Sequence, residues 1–390
     1  MRTCYLLVLI LLLVALRICY IGFSQKLAPP FHVISSTVKL RNDCSISSHS
    51  DASLSSSVYS KEEQYILSAL SRSNPKTYGF IVFKENEAFG IGNVYRSFAS
   101  VFLLAIVTNR TLFADYSLYF VYFQPKIPIV LNINEDTYSS DNSYIWYDHT
   151  IGDYYLDKSF TGKNLVDYWK QDVVVFNTIT DMSHLILDNP DHMRVMRQLG
   201  IVHSNDYNTQ HYEMLHYAYR ILFSNKKSFM HTLDTWRPQF KPHRIGAQLR
   251  FGGREANSNE AAAYLSSNDI KLCINTISQY IKDHRYHPST VTIHVSTDND
   301  KALRKMQKAF PGSVFVPPKH TIVHTSFVQS KQRLDGYYTA LVDIALLREC
   351  EFLILTKGSS FGWTMGMQME PLNAMYLQRG EIKNTSILIE

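Results

Sequence analysis

The sequence predicts an α/β protein made of two Rossmann-like lobes that face each other. Three observations predict it. At 390 residues the chain exceeds what one hydrophobic core ordinarily supports, so two lobes are expected. From residue 78 a strand, a glycine loop, a helix and a second strand follow in order, the unit from which parallel sheets are built. After Pro238 and Pro242 a longer alternation of strands and helices begins.

Taken in order, EEQYILSALS (62–71) has the spacing of a helix, and YGFIVFK (78–84) is an apolar, β-branched run that reads as a buried strand. ENEAFGIGN then leads into VYRSFASVFLLAIVTNR, apolar at helical spacing, and TLFAD reads as the next strand. Residues 116–240 are rich in Tyr, Trp and His and give a weaker pattern, with TQHYEMLHYAYRILF the clearest helix. The second series places strands at RIGAQLR, TVTIHVS, SVFVP, EFLILT and NAMYL. Helices are expected at NDIKLCINTISQYIKDH, DKALRKMQKAF, DGYYTALVDIALLREC and after KGSSFG.

The N-terminus sets the compartment. Residues 1–3 precede an apolar run at 4–23, CYLLVLILLLVALRICYIGF, broken only by Arg17, which can snorkel. This is the pattern of a transmembrane signal anchor, with a cleaved signal peptide as the competing reading; no small-x-small cleavage site precedes Lys26. In either case the bulk of the chain enters the secretory lumen. Residues 24–75 contain nine serines in the sixteen positions 45–60 and read as a flexible stem. A short cytoplasmic tail, an anchor, a stem and a lumenal body is the layout of Golgi-resident single-pass type II modifying enzymes. Asn109-Arg110-Thr111 and Asn384-Thr385-Ser386 are N-glycosylation sequons suited to that compartment. Outside the apolar run stand Cys44, Cys273 and Cys350, enough for one internal bridge or for a homodimer paired through Cys44. A formal charge of +5 with no dense Lys/Arg block argues against nucleic acid as a partner.

Four loops at the C-terminal ends of expected strands carry the chemistry. FGIGN (89–93) lacks the third glycine of a dinucleotide fingerprint, since Tyr95 stands there, yet it places the amides of Gly92 and Asn93 at a helix N-terminus suited to an anion. LRFGGRE brings Arg250, Gly252, Arg254 and Glu255 to one loop, where each arginine can give a phosphate a charge-assisted hydrogen bond of about 1.5–3 kcal/mol. In HVSTDND, His294, Asp298 and Asp300 have two readings besides ligand contact. Asp298 or Asp300 can cap the helix that follows, and Asp298-Asn299-Asp300 matches the D-x-D pattern of metal-dependent sugar transferases. In LTKGSSFGW, Ser359, Ser360 and Phe361 form a second anion nest or a helix cap.

Together these motifs resemble one family. FGIGNVYRSFASVFLLAIVTNRTLFAD is similar to the N-lobe glycine-loop region of the fucosyltransferase superfamily, and QLRFGG, STDND and ECEFLILTKGSSFGWTMG are similar to its three donor-site motifs. The motifs are nearest the plant cell-wall α-fucosyltransferases and more distant from the α1,6- and protein O-fucosyltransferases. The resemblance runs from Tyr78 to Leu377, and residues 116–240 match nothing. It implies a GT-B fold with its active site in the cleft between an acceptor-side lobe, residues 76–240, and a GDP-sugar donor lobe, residues 241–390. It also implies inverting transfer of fucose from GDP-fucose to a glycan or glycoprotein acceptor, with no metal or other cofactor. Arg250 matches the arginine on the donor β-phosphate; Ser359, Ser360 and Phe361 match the phosphate-contacting segment; Asp298 matches the acidic residue near the nucleoside; Gly92 and Asn93 match the loop that closes over the donor. The sequence departs from several relatives in having Gln248 where they have His, and Gly253 where some have Asp.

The chemistry fits on its own terms. Fucosyl transfer has an oxocarbenium-like transition state and a diphosphate that leaves with growing charge, so fixed arginine and amide donors address the costliest part of the barrier. Glu87 is the candidate general base and Glu255 the runner-up; a solvated loop carboxylate is the competing reading of Glu87. Two other functions stay open: a metal-dependent Golgi transferase using Asp298 and Asp300, and a non-catalytic carbohydrate-binding descendant.

Overall fold

The computed structural model describes residues 79–85, 90–116, 119–126, 130–131, 144–148, 162–252, 264–318, 330–367 and 374–384. The apolar run 4–23, the stem, the helix expected at EEQYILSALS and Cys44 lie outside them. Among the described residues no helix is long and apolar enough to cross a membrane.

Two separate sheets form. The first has five strands, β1 (Phe80–Lys84), β2 (Thr111–Asp115), β3 (Val130–Leu131), β4 (Tyr144–Asp148) and β5 (Val173–Asn177). Their order is β3-β2-β1-β5-β4 and every pairing is parallel. Side chains alternate across it, as the pleat requires. Ile81, Phe83, Val174 and Phe176 enter the large core, while Val82, Val173 and Val175 cluster on the other face.

Helix α1 (Ile91–Val107) connects β1 to β2 and is buried along its whole length except at Asn93 and Arg96. A helix apolar on all sides belongs inside a protein, and the two part-exposed residues, three apart, share one face near its N-terminus. The helix ends at Thr108, and Asn109 is exposed in the left-handed region at φ 51°. Arg110, buried, then donates to the carbonyls of Gln171 at 2.7 Å and Trp169 at 2.8 Å, tying the entry of β2 to that of β5. Arg110→Met strands those acceptors, so it is expected to lower stability by about 2–4 kcal/mol, read as a drop in the urea midpoint at unchanged slope.

Helix α2 (Tyr119–Tyr122) falls between β2 and β3 and α3 (Leu165–Tyr168) between β4 and β5; between the sheets in sequence come α4 (His184–Leu187), α5 (Pro190–Gln198), α6 (Tyr207–Leu222) and α7 (Lys227–Asp234). Tyr95 of α1 stacks on Phe223, just past α6, with ring centroids 4.1 Å apart, and Phe98, Tyr119 and Phe123 pack around the pair.

The second sheet contains β6 (His243–Leu249), β7 (Val291–Thr297), β8 (Val314–Phe315), β9 (Phe352–Thr356), β10 (Ala374–Gln378) and β11 (Glu381–Asn384), in the order β11-β10-β9-β6-β7-β8. Only β11 runs antiparallel. One face is covered by α8 (Ser267–Asp283) and α9 (Asp300–Ala309). The other is covered by α10 (Ser330–Leu347), and its core is continuous with that of the first lobe through Trp363 and Met365 of α11 (Ser360–Gly366). Cys273 and Cys350 are unbridged and buried in different cores, and burial pushes the Cys273 thiol up to about 12.

Candidate functional site

The sheet order places β6 between β7 and β9, so the loops after these three strands are neighbours at one edge. Leu249 pairs with Thr297 and Gln248 with Leu355, which puts Arg250, Asp298 and the 356–360 segment one step beyond the ladder. Thr356 joins two of the loops. Its hydroxyl donates to the Gln248 carbonyl at 2.8 Å and accepts from the Arg250 amide at 2.9 Å, while its own amide donates to Gln248 Oε1 at 3.1 Å. Gln248 Nε2 then reaches Ser359 Oγ at 3.3 Å. Ser359 caps α11 by accepting from the Gly362 amide at 3.3 Å, and the amides of Ser360 and Phe361 have no hydrogen-bond acceptor among the described residues.

Asp298 joins the other pair of loops. Its carboxylate accepts from Arg250 Nη1 at 2.5 Å, from the Phe251 amide at 2.8 Å and from the Gly252 amide at 3.0 Å. Gly252 takes φ 63°, the left-handed conformation that glycine adopts without strain. The Arg250 guanidinium also lies 5.8 Å from the Tyr264 ring centroid. The capping expected of Asp298 or Asp300 is corrected here: Asn299 is the N-cap of α9, accepting from the amides of Lys301 and Ala302, and Asp300 is exposed in the first turn. His294 is likewise corrected. It lies inside β7 rather than in the loop, buried, with Nε2 3.1 Å from Asp343 Oδ1, and Ser296 donates to the other oxygen of the same carboxylate at 2.6 Å.

The first lobe meets this edge at Gly92. A methyl group there would lie 2.5 Å from the Phe361 nitrogen and 2.5 Å from the Ser360 carbonyl carbon, so the first turn of α1 and that of α11 are in backbone contact. Thr364 Oγ1 bonds the Gly92 carbonyl at 3.4 Å across the same seam. The segment 90–93 and KGSSFG, far apart in sequence, thus meet at one seam. Asn93 is half-exposed beside it, and the Arg96 guanidinium sits 5.6 Å from the Trp363 ring centroid.

The structure therefore brings together Gly92, Asn93, Arg250, Gly252, Asp298, Ser359, Ser360 and Phe361, and leaves His294 in the interior. Glu87, Arg254 and Glu255 lie outside the described residues. Among the described residues no group of three or more His, Cys, Asp or Glu side chains could hold a metal ion. Thr356 and Gln248, which hold the loops together, carried only the signal of being polar residues within apolar strands.

No protein-family model and no curated protein sequence matches the chain. Solved structures do. An arginine-to-lysine variant of Arabidopsis thaliana FUT1 in complex with GDP aligns over 82% of this chain and 74% of its own, at 17% sequence identity and a TM-score of 0.55. Fucosyltransferase NodZ from Bradyrhizobium aligns over 79% of this chain and 98% of its own, at 15% identity and a TM-score of 0.46. POFUT1 in complex with GDP covers 78% and 99%, at 12% identity and a TM-score of 0.42. The similarity to the plant protein is one of fold: an α/β architecture built on parallel sheets.

Proposed function

We propose that the chain is a GT-B fucosyltransferase that moves fucose from GDP-fucose, with inversion, to a hydroxyl of a glycan or glycoprotein. The observation that carries this reading is that Arg250 and the Ser360–Phe361 segment leave the ends of the paired strands β6 and β9, tied by the bond from the Arg250 amide to Thr356. It stands in a fold similar to that of a plant protein solved with GDP. Positive donors concentrated there suit a diphosphate leaving group, whose charge grows as the bond to C1 breaks. Arg250 holds the β-phosphate, the segment 359–361 holds the phosphates through its amides, and Gly92 and Asn93 close over the donor. The chain works as a type II protein of the Golgi membrane, anchored by residues 4–23, with the lobes 76–240 and 241–390 in the lumen and Asn109 and Asn384 glycosylated.

No metal takes part, on this reading. Both Asp298 oxygens are engaged by Arg250 Nη1 and by two backbone amides, an arrangement that holds the arginine loop rather than offering the carboxylate to a cation. The test is GDP release by the full-length chain in detergent, with GDP-fucose, GDP-mannose and UDP-galactose as donors and a panel of neutral oligosaccharides as acceptors. Release from GDP-fucose alone, undiminished by excess EDTA, is the expected result. Complete loss with EDTA restored by manganese would instead assign Asp298 and Asp300 to a cation.

A further inference from the structure

We propose that His211, oriented by Asp181, is the base that takes the proton from the acceptor hydroxyl, a role that rests on the fucosyl-transfer reading above. Asp181 follows β5, and β5 lies parallel to β1 with Phe176 opposite Phe83. Its loop therefore leaves the same edge of the first sheet as the segment that leads to Gly90 and the first turn of α1. In parallel α/β sheets that is the edge where ligands gather.

The pair has the geometry of an oriented base. His211 Nε2 lies 2.7 Å from Asp181 Oδ2, and Oδ1 of the same carboxylate accepts from the Ser183 amide at 2.8 Å. Neither side chain is sealed in: 23% of His211 and 16% of Asp181 stay accessible. Nδ1 of His211 has no hydrogen-bond partner among the described residues. With a carboxylate fixed on the Nε2 proton, the neutral ring presents its lone pair at Nδ1.

The surroundings connect the pair to the donor loops. The His211 ring centroid is 6.2 Å from that of Trp363, which also neighbours the Arg96 guanidinium and the Tyr219 ring, and Trp363 belongs to α11, the helix that Ser359 caps. The titratable groups around the pair are Arg96 from α1, on the far side of Trp363, His184 from α4 through the Asp181 carbonyl, and Tyr207 and Tyr219 from α6 itself. Burial acts to raise the Asp181 carboxyl, but its hydrogen bond and charge interaction with His211 and its bonds from Ser183 outweigh that and hold it at about 2. It is an anion at any working pH.

In the reaction the acceptor oxygen forms its bond to C1 of the fucosyl group as the C1–O bond to the diphosphate breaks. The bonding pair departs with GDP, and the hydroxyl proton moves to Nδ1 of His211. The imidazolium so formed is balanced by the Asp181 carboxylate.

His211→Gln is the decisive variant, because the glutamine amide can keep the bond to Asp181 while supplying no base. With GDP-fucose and the fastest acceptor of the oligosaccharide panel, kcat is expected to fall about 100-fold or more. GDP affinity, measured by calorimetry, should stay within about twofold of the native value, since a base contributes nothing to ground-state nucleotide binding. The acid limb of the native kcat/KM profile should vanish in this variant. Turnover of His211→Gln within about threefold of native, an unchanged acid limb, or a loss of GDP affinity that makes His211 structural would each overturn the proposal. Failure of the native chain to release GDP from GDP-fucose with any acceptor would overturn the functional reading, and this role with it.

Discussion

Arg250→Ala is expected to lower turnover of GDP-fucose by about 10³-fold or more, as removal of a charged donor from a developing anion does, and to leave the fold intact. The second half of that expectation comes from the bonds around the side chain. The backbone amide of Arg250 bonds Thr356 whatever the side chain is, and Asp298 keeps the amides of Phe251 and Gly252 when Nη1 is gone. Those two amides keep the carboxylate in place, so the fold should survive, at the cost of about 3–5 kcal/mol that breaking a buried ion pair carries. Arg250→Lys should rescue poorly. The guanidinium is a planar fork that bonds Asp298 through Nη1 and suits bidentate contact with a phosphate, whereas an ammonium is a point donor. The measurements are GDP affinity by calorimetry and kcat/KM with GDP-fucose, beside a thermal melt. Native-like turnover in Arg250→Lys would sink the two-sided role of the guanidinium.

Legibility in the sequence followed burial. The strands of the second lobe were readable by two signals: FLILT is the unbroken apolar run of a parallel strand covered on both faces, and VTIHVST alternates β-branched apolar residues with polar ones. TLFAD coincides with β2 residue for residue, because Asn109 at positive φ ends the helix before it. The stretch 116–240 was not readable in detail, for identifiable reasons. Three of its helices are four-residue turns, at Tyr119–Tyr122, Leu165–Tyr168 and His184–Leu187, too short to show a period, and β3 is two residues long. β5, VVVFN, carried the signal of a buried strand, but no regular helix on either side marked it as part of an alternation. The site divides in the same way. Arginines, serines and glycines at strand ends were visible as types. That Asp298 would hold Arg250, and that Asn299 would do the capping, depended on β6 and β7 being neighbours, which no local pattern encodes. His211 and Asp181 were hidden because their pairing joins a helix to the loop of the unrecognised β5.

Gly92→Ala tests the seam between the lobes, and the sign of its effect decides the matter. Gly92 lies in the first turn of α1, where alanine would ordinarily stabilise a helix by about 1 kcal/mol. Here the added methyl group would stand 2.5 Å from the Phe361 nitrogen, 2.5 Å from the Ser360 carbonyl carbon and 2.7 Å from its oxygen. All three are backbone atoms, so no side chain can rotate away, and overpacking of this kind costs about 1–3 kcal/mol. The cost exceeds the propensity gain. Relief requires α1 and α11 to separate, which moves the Ser360 and Phe361 amides and stretches the Thr364 bond to the Gly92 carbonyl. The expected result is a lower melting temperature together with a KM for GDP-fucose raised at least about tenfold, equivalent to one misplaced hydrogen-bond donor. Gly312→Ala is the control: its φ of 69° carries backbone strain, but a methyl group there would meet nothing within 4 Å, so it should lower stability and leave KM unchanged. A raised melting temperature with normal KM in Gly92→Ala would mean that the two helix N-termini do not meet. The anion site would then belong to the second lobe alone.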